Sequence, residues 1–376
     1  MVFRKKYTDF VLLDQKVCSI NKSIETNILA YLHPQNVDSE KKKFFEAIEQ
    51  GNEYNPKFVY APRNPLYSYF AIAPAFDTFR RELVELMKTC GNDSLSLIFE
   101  KKMLDLFEKM ELMRSVGTEN FTSNSETYYG QINPSLLSPA KEIVSKKVPL
   151  EKKTIPVKKA IQIISSEIKK RGLPHKVVLR KTTGSLFAIN VENKILYVNE
   201  SLNFSETMLK RVIAHEIESH AYRFENGDIQ PYKIFSNSVS KETLETEEGL
   251  AVKVEELKGV SDSAQLKNYA GRVIAVHTAS RKSFYNTFQE LRTYFSDDEA
   301  FTLTLRAKRG TFRQESKGAF TKDILYLRGK IVVDKFLEDH KIEDLYKGKY
   351  SVYDYPLIRD VDGLKPPKYL PSFLKK

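Results

Sequence analysis

Six consecutive residues, His215-Glu216-Ile217-Glu218-Ser219-His220, put two imidazoles and two carboxylates into little more than one helical turn. The spacing of Leu209, Val212 and Ile213 predicts a helix from about residue 206 that runs into this segment, ended by Asn226-Gly227 as a left-handed C-cap. On a regular α-helix, residues five apart stand about 140° apart in projection, too far for both imidazoles to reach one ion. A turn widened to about 4.4 residues brings them to within roughly 50°, and single-turn π-bulges favour functional sites. The hexapeptide therefore predicts one of two things. Either His215 and His220 are ordinary helix residues, one buried and one exposed, or the helix is distorted at residues 217–219 and both imidazoles share a face. A His-acid-x-x-x-His string arises by chance about 0.01 times in a chain of this composition. A second acidic pair, Glu247-Glu248, offers a third ligand, and spacing alone leaves both open.

Composition narrows the classes. At 376 residues, with 41% hydrophobic and 29% charged residues, the chain can bury a large core and is not of disordered type. Cys18 and Cys90 build no disulfide framework, which fits a reducing cytoplasm. The basic start Met1-Val2-Phe3-Arg4-Lys5-Lys6 leads into only a short apolar run, residues 10–13, and no stretch reaches the roughly 18 apolar residues of a membrane span. A cytoplasmic protein without a membrane partner is the expectation. The net charge of +11 suits an acidic partner, although a solvated lysine-rich surface explains it equally well. Lys146, Lys147, Lys152, Lys153, Lys158 and Lys159, threaded through Pro149 and Pro156, read as a connector and not as a nucleic-acid motif.

Along the chain, residues 1–135 read as mainly helical, with helical spacing over 16–32 and 77–88 and an amphipathic helix over 95–113 that carries Leu97, Phe99, Met103, Leu104, Phe107 and Met110. Thr122 to Ser125 and Tyr128-Tyr129-Gly130 mark a loop. Residues 136–157 form a Pro- and Lys-rich connection. A helix over 157–171 stops at Gly172-Leu173-Pro174, and strands follow over 176–180, 186–191 and 194–198, the last two joined by a tight turn at Glu192-Asn193. Further helices are expected around Glu248 up to Gly259, over 263–295, after the cap Ser296, and over 322–339. Residues beyond Gly348 read as a surface tail.

Ordered motifs add a resemblance. His215 to His220, Arg223, Asn226, Gln230-Pro231 and Thr246-Glu247-Glu248-Gly249-Leu250-Ala251 are followed by His277 with Ser283-Phe284, Arg306-Ala307-Lys308-Arg309-Gly310, Gly318 with Phe320-Thr321-Lys322-Asp323, and Tyr326-Leu327. Asn55-Pro56, Phe58, Tyr60, Gly117, Phe121 and Tyr129-Gly130 precede them. Over about residues 55–340 the chain resembles the QEGLA-motif metallopeptidases, and within them the microtubule-associated tyrosine carboxypeptidases.

The resemblance implies one zinc ion (Zn2+) held by His215, His220 and Glu248, with Glu216 as the catalytic acid and base. It favours Glu248 over Glu247 as third ligand. Glu247 stands where the motif has Gln, and Glu218 is expected to face solvent. The implied fold class is α+β, a mainly helical zincin-like metallopeptidase with a small antiparallel sheet preceding the metal-binding helix. The implied division is a helical N-terminal region (1–135) packing on the catalytic core, the connection (136–157), the core (158–348) and the surface tail (349–376). A carboxypeptidase needs a cation for the terminal carboxylate, for which Arg223, Arg306, Arg309 and Lys322 are candidates, while His277 and Tyr326 are candidates for an oxyanion contact. The expected activity is release of a C-terminal residue, tyrosine or another aromatic, from a peptide or protein tail that is acidic if the relatives are a guide, and from tubulin only where the source has it. A metallo-endopeptidase, an aminopeptidase and a non-catalytic binding protein that keeps the motifs are the alternatives.

Overall fold

The computed structural model describes residues 9–25, 32–60, 69–148, 151–181, 187–237 and 240–374. The basic start, part of the helix expected over 16–32, Pro149 and the first residue of the strand expected at 186 lie outside them. In chain order the elements are α1 (Phe10–Glu25), α2 (Val37–Glu49), α3 (Tyr69–Met87), α4 (Ser94–Arg114), α5 (Phe121–Tyr129), α6 (Pro134–Ser145), β1 (Ile155–Pro156), α7 (Val157–Lys170), β2 (Lys176–Arg180), β3 (Phe187–Asn190), β4 (Ile195–Asn199), β5 (Asn203–Phe204) and α8 (Glu206–Val212). A π-helix (Ile213–Ala221) continues α8, and then come α9 (Tyr222–Asp228), α10 (Lys241–Leu257), α11 (Ser263–Ala279), α12 (Phe284–Leu291), α13 (Asp297–Lys308), α14 (Leu325–Phe336) and α15 (Tyr355–Ile358). The protein is mostly helical with small sheets, an α+β arrangement. Among the described residues no helix is long and apolar enough to cross a membrane.

Two compact units emerge, each assembled from separated stretches. The first takes Met1–Lys146, Val239–Lys241 and Lys267–Leu327, and the second takes Lys147–Ser238, Glu242–Leu266 and Arg328–Lys376. Residues 267–327, placed by the linear division within the core, thus fall in the first unit.

In the first unit, α4 starts where the Asp93 carboxylate accepts the Ser96 amide, and it buries Leu95, Ile98, Phe99, Met103, Leu106, Met110 and Met113. Leu97 and Leu104, expected on that face, are exposed. Phe44 packs edge-on to Phe284, Phe288 and Phe301 at 4.8–5.4 Å between ring centroids. The loop expected at Tyr128-Tyr129 is the end of α5, which stops at Gly130 with φ 90°. Much of the expected connection is α6: Asn133 caps it, Pro134 sits at its first position, where a missing N–H costs nothing, and Leu136, Ala140 and Val144 are buried. The single helix expected over 263–295 is broken, because the Ser283 hydroxyl accepts the Asn286 amide at 3.2 Å and starts α12 anew. Ser296 and Glu299 form the capping box of α13.

In the second unit the three-stranded sheet has the order β2-β4-β3. β3 and β4 are antiparallel, but β2 and β4 are parallel, so the sheet is mixed and not antiparallel as expected. A separate antiparallel pair joins β1, at the end of the expected connection, to β5. The β3–β4 turn is a four-residue one in which Asn190 accepts the Asn193 amide and Lys194 takes φ 56°. Leu196 and Val198 of the central strand are fully buried, and Ser205 caps α8, which leads directly into the π-helix.

The expected surface tail begins later than Gly348: residues 349–358 are largely buried, and the chain runs mostly exposed only from residue 359 to 374. Tyr350, Ser351, Val352, Asp354, Tyr355 and Ile358 are buried. Three residues one turn apart hold this stretch down. Arg223 donates to the carbonyls of Gly348 and Tyr350, Asn226 exchanges two hydrogen bonds with Tyr369, and Gln230 bonds Lys347 and Lys365.

Candidate metal centre

The distortion required by the five-residue histidine interval is present and extends further than expected, over Ile213–Ala221. The Tyr222 amide donates to the Ile217 carbonyl, five residues back, and the buried Ser219 hydroxyl donates to the Ala214 carbonyl at 3.0 Å. The widened turn sets the two imidazoles on one face, 5.0 Å apart between ring centroids.

α10 supplies the carboxylates. Gly249 makes this possible: a Cβ there would sit 2.1 Å from the backbone of Gly329 on α14, so the two helices touch through bare glycine backbone. One ligand atom from each of His215, His220 and Glu248 lies within 4.8 Å of the others, the one such group among the described residues that could hold an ion. His215 Nε2 is 3.7 Å from Glu248 Oε2, and two ligands on a tetrahedral ion with bonds near 2.05 Å stand about 3.4 Å apart.

Each imidazole is oriented through its other nitrogen. His215 Nδ1 meets Glu255 Oε1 at 2.7 Å and His220 Nδ1 meets Glu247 Oε2 at 3.1 Å, which leaves Nε2 of both rings for an ion. Burial opposes a charge on His215, yet hydrogen bonds to Glu248 and Glu255 push its pKa up to about 10. Two carboxylates converging on one buried ring create a field that a cation satisfies, so the donor set fits a metal ion.

Glu247 itself is buried. Burial alone would raise its pKa, but Arg223 and Lys349 hold it well below the usual carboxylate range, Lys349 Nζ at 3.1 Å and Arg223 through a direct hydrogen bond. Glu247 therefore orients His220, and Glu248 is the acid that joins the two histidines. Arg223, a candidate for the substrate carboxylate, is instead fully buried with its guanidinium engaged by Glu247, Gly348 and Tyr350. Glu218 does not face solvent. It is fully buried, paired at 2.7 Å with both Arg171 and Lys258, and these cations outweigh burial to keep its pKa lowered. Glu216 is the one residue of the hexapeptide that is not buried, and no hydrogen bond or ion pair among the described residues engages its carboxylate.

The family description "Microtubule-associated tyrosine carboxypeptidase" matches residues 42–376. The chain belongs to this family. Microtubule-associated tyrosine carboxypeptidase 1 of Rattus norvegicus is 25% identical over 356 residues, covering 93% of this chain and 65% of its own length. The Mus musculus protein of the same name is 24% identical over 358 residues, with the same coverage. The Homo sapiens protein is 30% identical over 172 residues, 42% of this chain and 33% of its own. The chain thus spans 65% of the length of the rat and mouse relatives.

The remaining candidates of this tyrosine carboxypeptidase family member lie in the first unit. Arg306 grips Asp323 with both fork nitrogens at 2.6 and 2.8 Å. Arg309 is buried with its guanidinium over Phe320. Tyr326 stacks on Tyr269 at 5.0 Å, and Lys322 is half-buried on the 3-10 turn Thr321–Ile324. His277 is half-buried with Nδ1 3.1 Å from Arg281, and burial and then Arg281 lower its pKa. The upstream family motifs meet at Gly310: its amide donates to the Tyr60 hydroxyl at 3.0 Å, its carbonyl accepts the Gly117 amide at 2.8 Å, and a Cβ there would crowd Leu32 and Phe121.

Sequence reasoning missed Glu255, Lys349 and Arg211, which lies 3.5 Å from Glu255. A signal for Glu255 existed, since residues seven apart share a helix face and Glu248 is its partner at that interval. Lys349 reaches the site from more than a hundred residues away and leaves no local pattern.

Proposed function

We propose that this protein is a zinc metallocarboxypeptidase of the zincin type, releasing a C-terminal residue, tyrosine or another aromatic, from a peptide or acidic protein tail in the cytoplasm. The observation that carries this reading is the convergence of His215, His220 and Glu248, each histidine oriented by a buried carboxylate, beside the half-exposed Glu216. The names of the relatives support the choice of reaction.

Zinc bound by these three ligands lowers the pKa of water and polarises a carbonyl. Glu216 does the proton work. Its carboxylate accepts the proton released as water attacks the scissile carbon and delivers it to the departing amine, so the peptide bond breaks with a new acid on one side and a free amino group on the other. Glu255 and Glu247 keep both imidazoles in one tautomer and one orientation throughout.

The test pairs two measurements. Zinc content by atomic absorption is expected near one ion per chain, and mass spectrometry is expected to show loss of the last residue from a tyrosine-terminated peptide with the wild-type protein. The Glu216→Gln protein is expected to keep the metal and lose turnover. A metal-free protein, or equal cleavage by Glu216→Gln, overturns the proposal.

A further inference from the structure

The first unit holds three guanidinium groups around one carboxylate. Arg272 comes from α11, Arg306 from α13, Arg309 from the residue that ends α13, and Asp323 from the 3-10 turn after it. Both oxygens of Asp323 are taken by the fork of Arg306 at 2.6 and 2.8 Å. Arg309 comes no nearer than 3.9 Å to that carboxylate. It is 8% exposed, and its Nε is buried without a hydrogen-bond partner among the described residues. Arg272 spends Nε on Asn268 at 3.0 Å, and its buried Nη1 likewise lacks a partner. Its guanidinium lies over Tyr326 at 4.3 Å and Tyr269 at 5.1 Å, two rings stacked on each other.

Among the described residues three positive charges gather about one carboxylate, with Arg309 and Asp323 buried and Arg272 and Arg306 partly exposed. An uncompensated buried charge is strongly unfavourable, and arginine cannot shed its proton to escape it. Burial, and then the neighbouring Arg306, bring Arg309 down only to about 10, so it remains charged at neutral pH. Burial alone would raise Asp323, but Arg306, Arg272 and Arg309 hold it well below the usual carboxylate range, so it is already ionised and has no further charge to offer. Unused N–H groups on planar forks match the two oxygens of a carboxylate.

We propose that Arg309 and Arg272 form a site for the carboxylate of a bound peptide, with the Arg306–Asp323 pair as its fixed frame and the Tyr269–Tyr326 stack as its wall. A peptide carries this group either at its free C-terminus or on acidic side chains, and both present the same two oxygens. The site rests on the proposed peptidase reading for its ligand and deepens it; all its residues belong to the first unit, and binding is read apart from zinc content and turnover.

Binding without turnover tests it. Zinc-loaded Glu216→Gln protein is titrated, by fluorescence anisotropy, with a labelled peptide of acidic residues ending in tyrosine, with its C-terminal amide, and with a version whose acidic side chains are glutamines. Arg309→Met and Arg272→Met, each in that background, are expected to raise the Kd of the first peptide about tenfold to a hundredfold with zinc content unchanged. The peptide that has lost the seated carboxylate binds the parent with a similarly raised Kd and is indifferent to the arginine substitutions, so the amide and glutamine versions tell the two sources apart. Arg272 is half-exposed, so its substitution decides the matter if Arg309→Met does not fold. Unchanged affinity in folded variants overturns the proposal, as does a parent that binds none of the three peptides. Neither outcome bears on cleavage, which is read separately.

Discussion

At the scale of single residues, the proposed zinc site makes the carboxylates behind the histidines the groups that would set how well the metal is held. Glu255 sets the orientation of His215 from 2.7 Å and is buried. Glu255→Ala is expected to weaken zinc affinity about tenfold to a hundredfold, read by competition with a chromophoric chelator, while the three ligands remain in place. A different histidine governs acid stability. Both ring nitrogens of His175 are buried without a hydrogen-bond partner, and Glu225, 3.8 Å away, is already engaged by Lys194 at 3.1 Å. Burial, and then Lys194, lower its pKa from 6.5 to about 4. The unfolded chain therefore binds the proton more readily, and the contribution of neutral His175 is complete above pH 6.5 and lost as pH falls toward 4. Melting temperature against pH is expected to fall less steeply through that window for His175→Leu than for the parent protein.

At the scale of elements, what could be read depended on whether the determining contact was local. The π-helix was legible because a five-residue histidine interval has no other way to share a face. The cap at Ser296 and the stop at Gly172 were legible because capping chemistry is local. The left-handed cap assigned to Gly227 was not correct: α9 runs on to Asp228, and this glycine is required because a Cβ would sit 1.9 Å from the Phe235 carbonyl. A glycine's sequence neighbours do not reveal whether it serves a turn or a close approach. The same holds for Gly249, whose partner Gly329 is eighty residues on. Gly249→Ala is expected to push α10 from α14, lowering stability by about 1–3 kcal/mol or more and weakening zinc binding, as melting and chelator competition report. The parallel pairing of β2 with β4 also escaped the sequence, because strand order is set by where the chain returns and not by strand composition.

For the whole molecule, linear segmentation was the least informative reading. Each unit draws on three separated stretches, and the bonds that assemble them span long intervals: Arg223 to Gly348 in the second unit, and Tyr60 to Gly310 and Ser125 to Thr321 in the first. Arg223, Asn226 and Gln230 were visible as motif residues, yet their partners after residue 346 were not, since a carbonyl acceptor has no side-chain signature. Removing residues 347–376 takes away Lys349 and every partner that Arg223, Asn226 and Gln230 find beyond residue 346. Such a protein is expected to lose zinc binding and cooperative melting, measured by metal content and calorimetry, whereas loss of a surface tail would change neither.

The π-helix has one more consequence. A five-residue interval where four would suffice is equivalent to one inserted residue, which in a regular α-helix would turn everything downstream by about 100°; the π-helix takes up that rotation within its wide turn. The two imidazoles would still share a face in a chain shortened by one residue between them. Tyr222, Arg223, Asn226 and Gln230 keep nearly the same offset from the second imidazole in either case, so the wide turn leaves their grip on residues 347–369 in place. The wide turn thus absorbs the extra residue, and one continuous rod sets His215 and His220 beside Glu248 of α10 with its first half and grips residues 347–369 with its second.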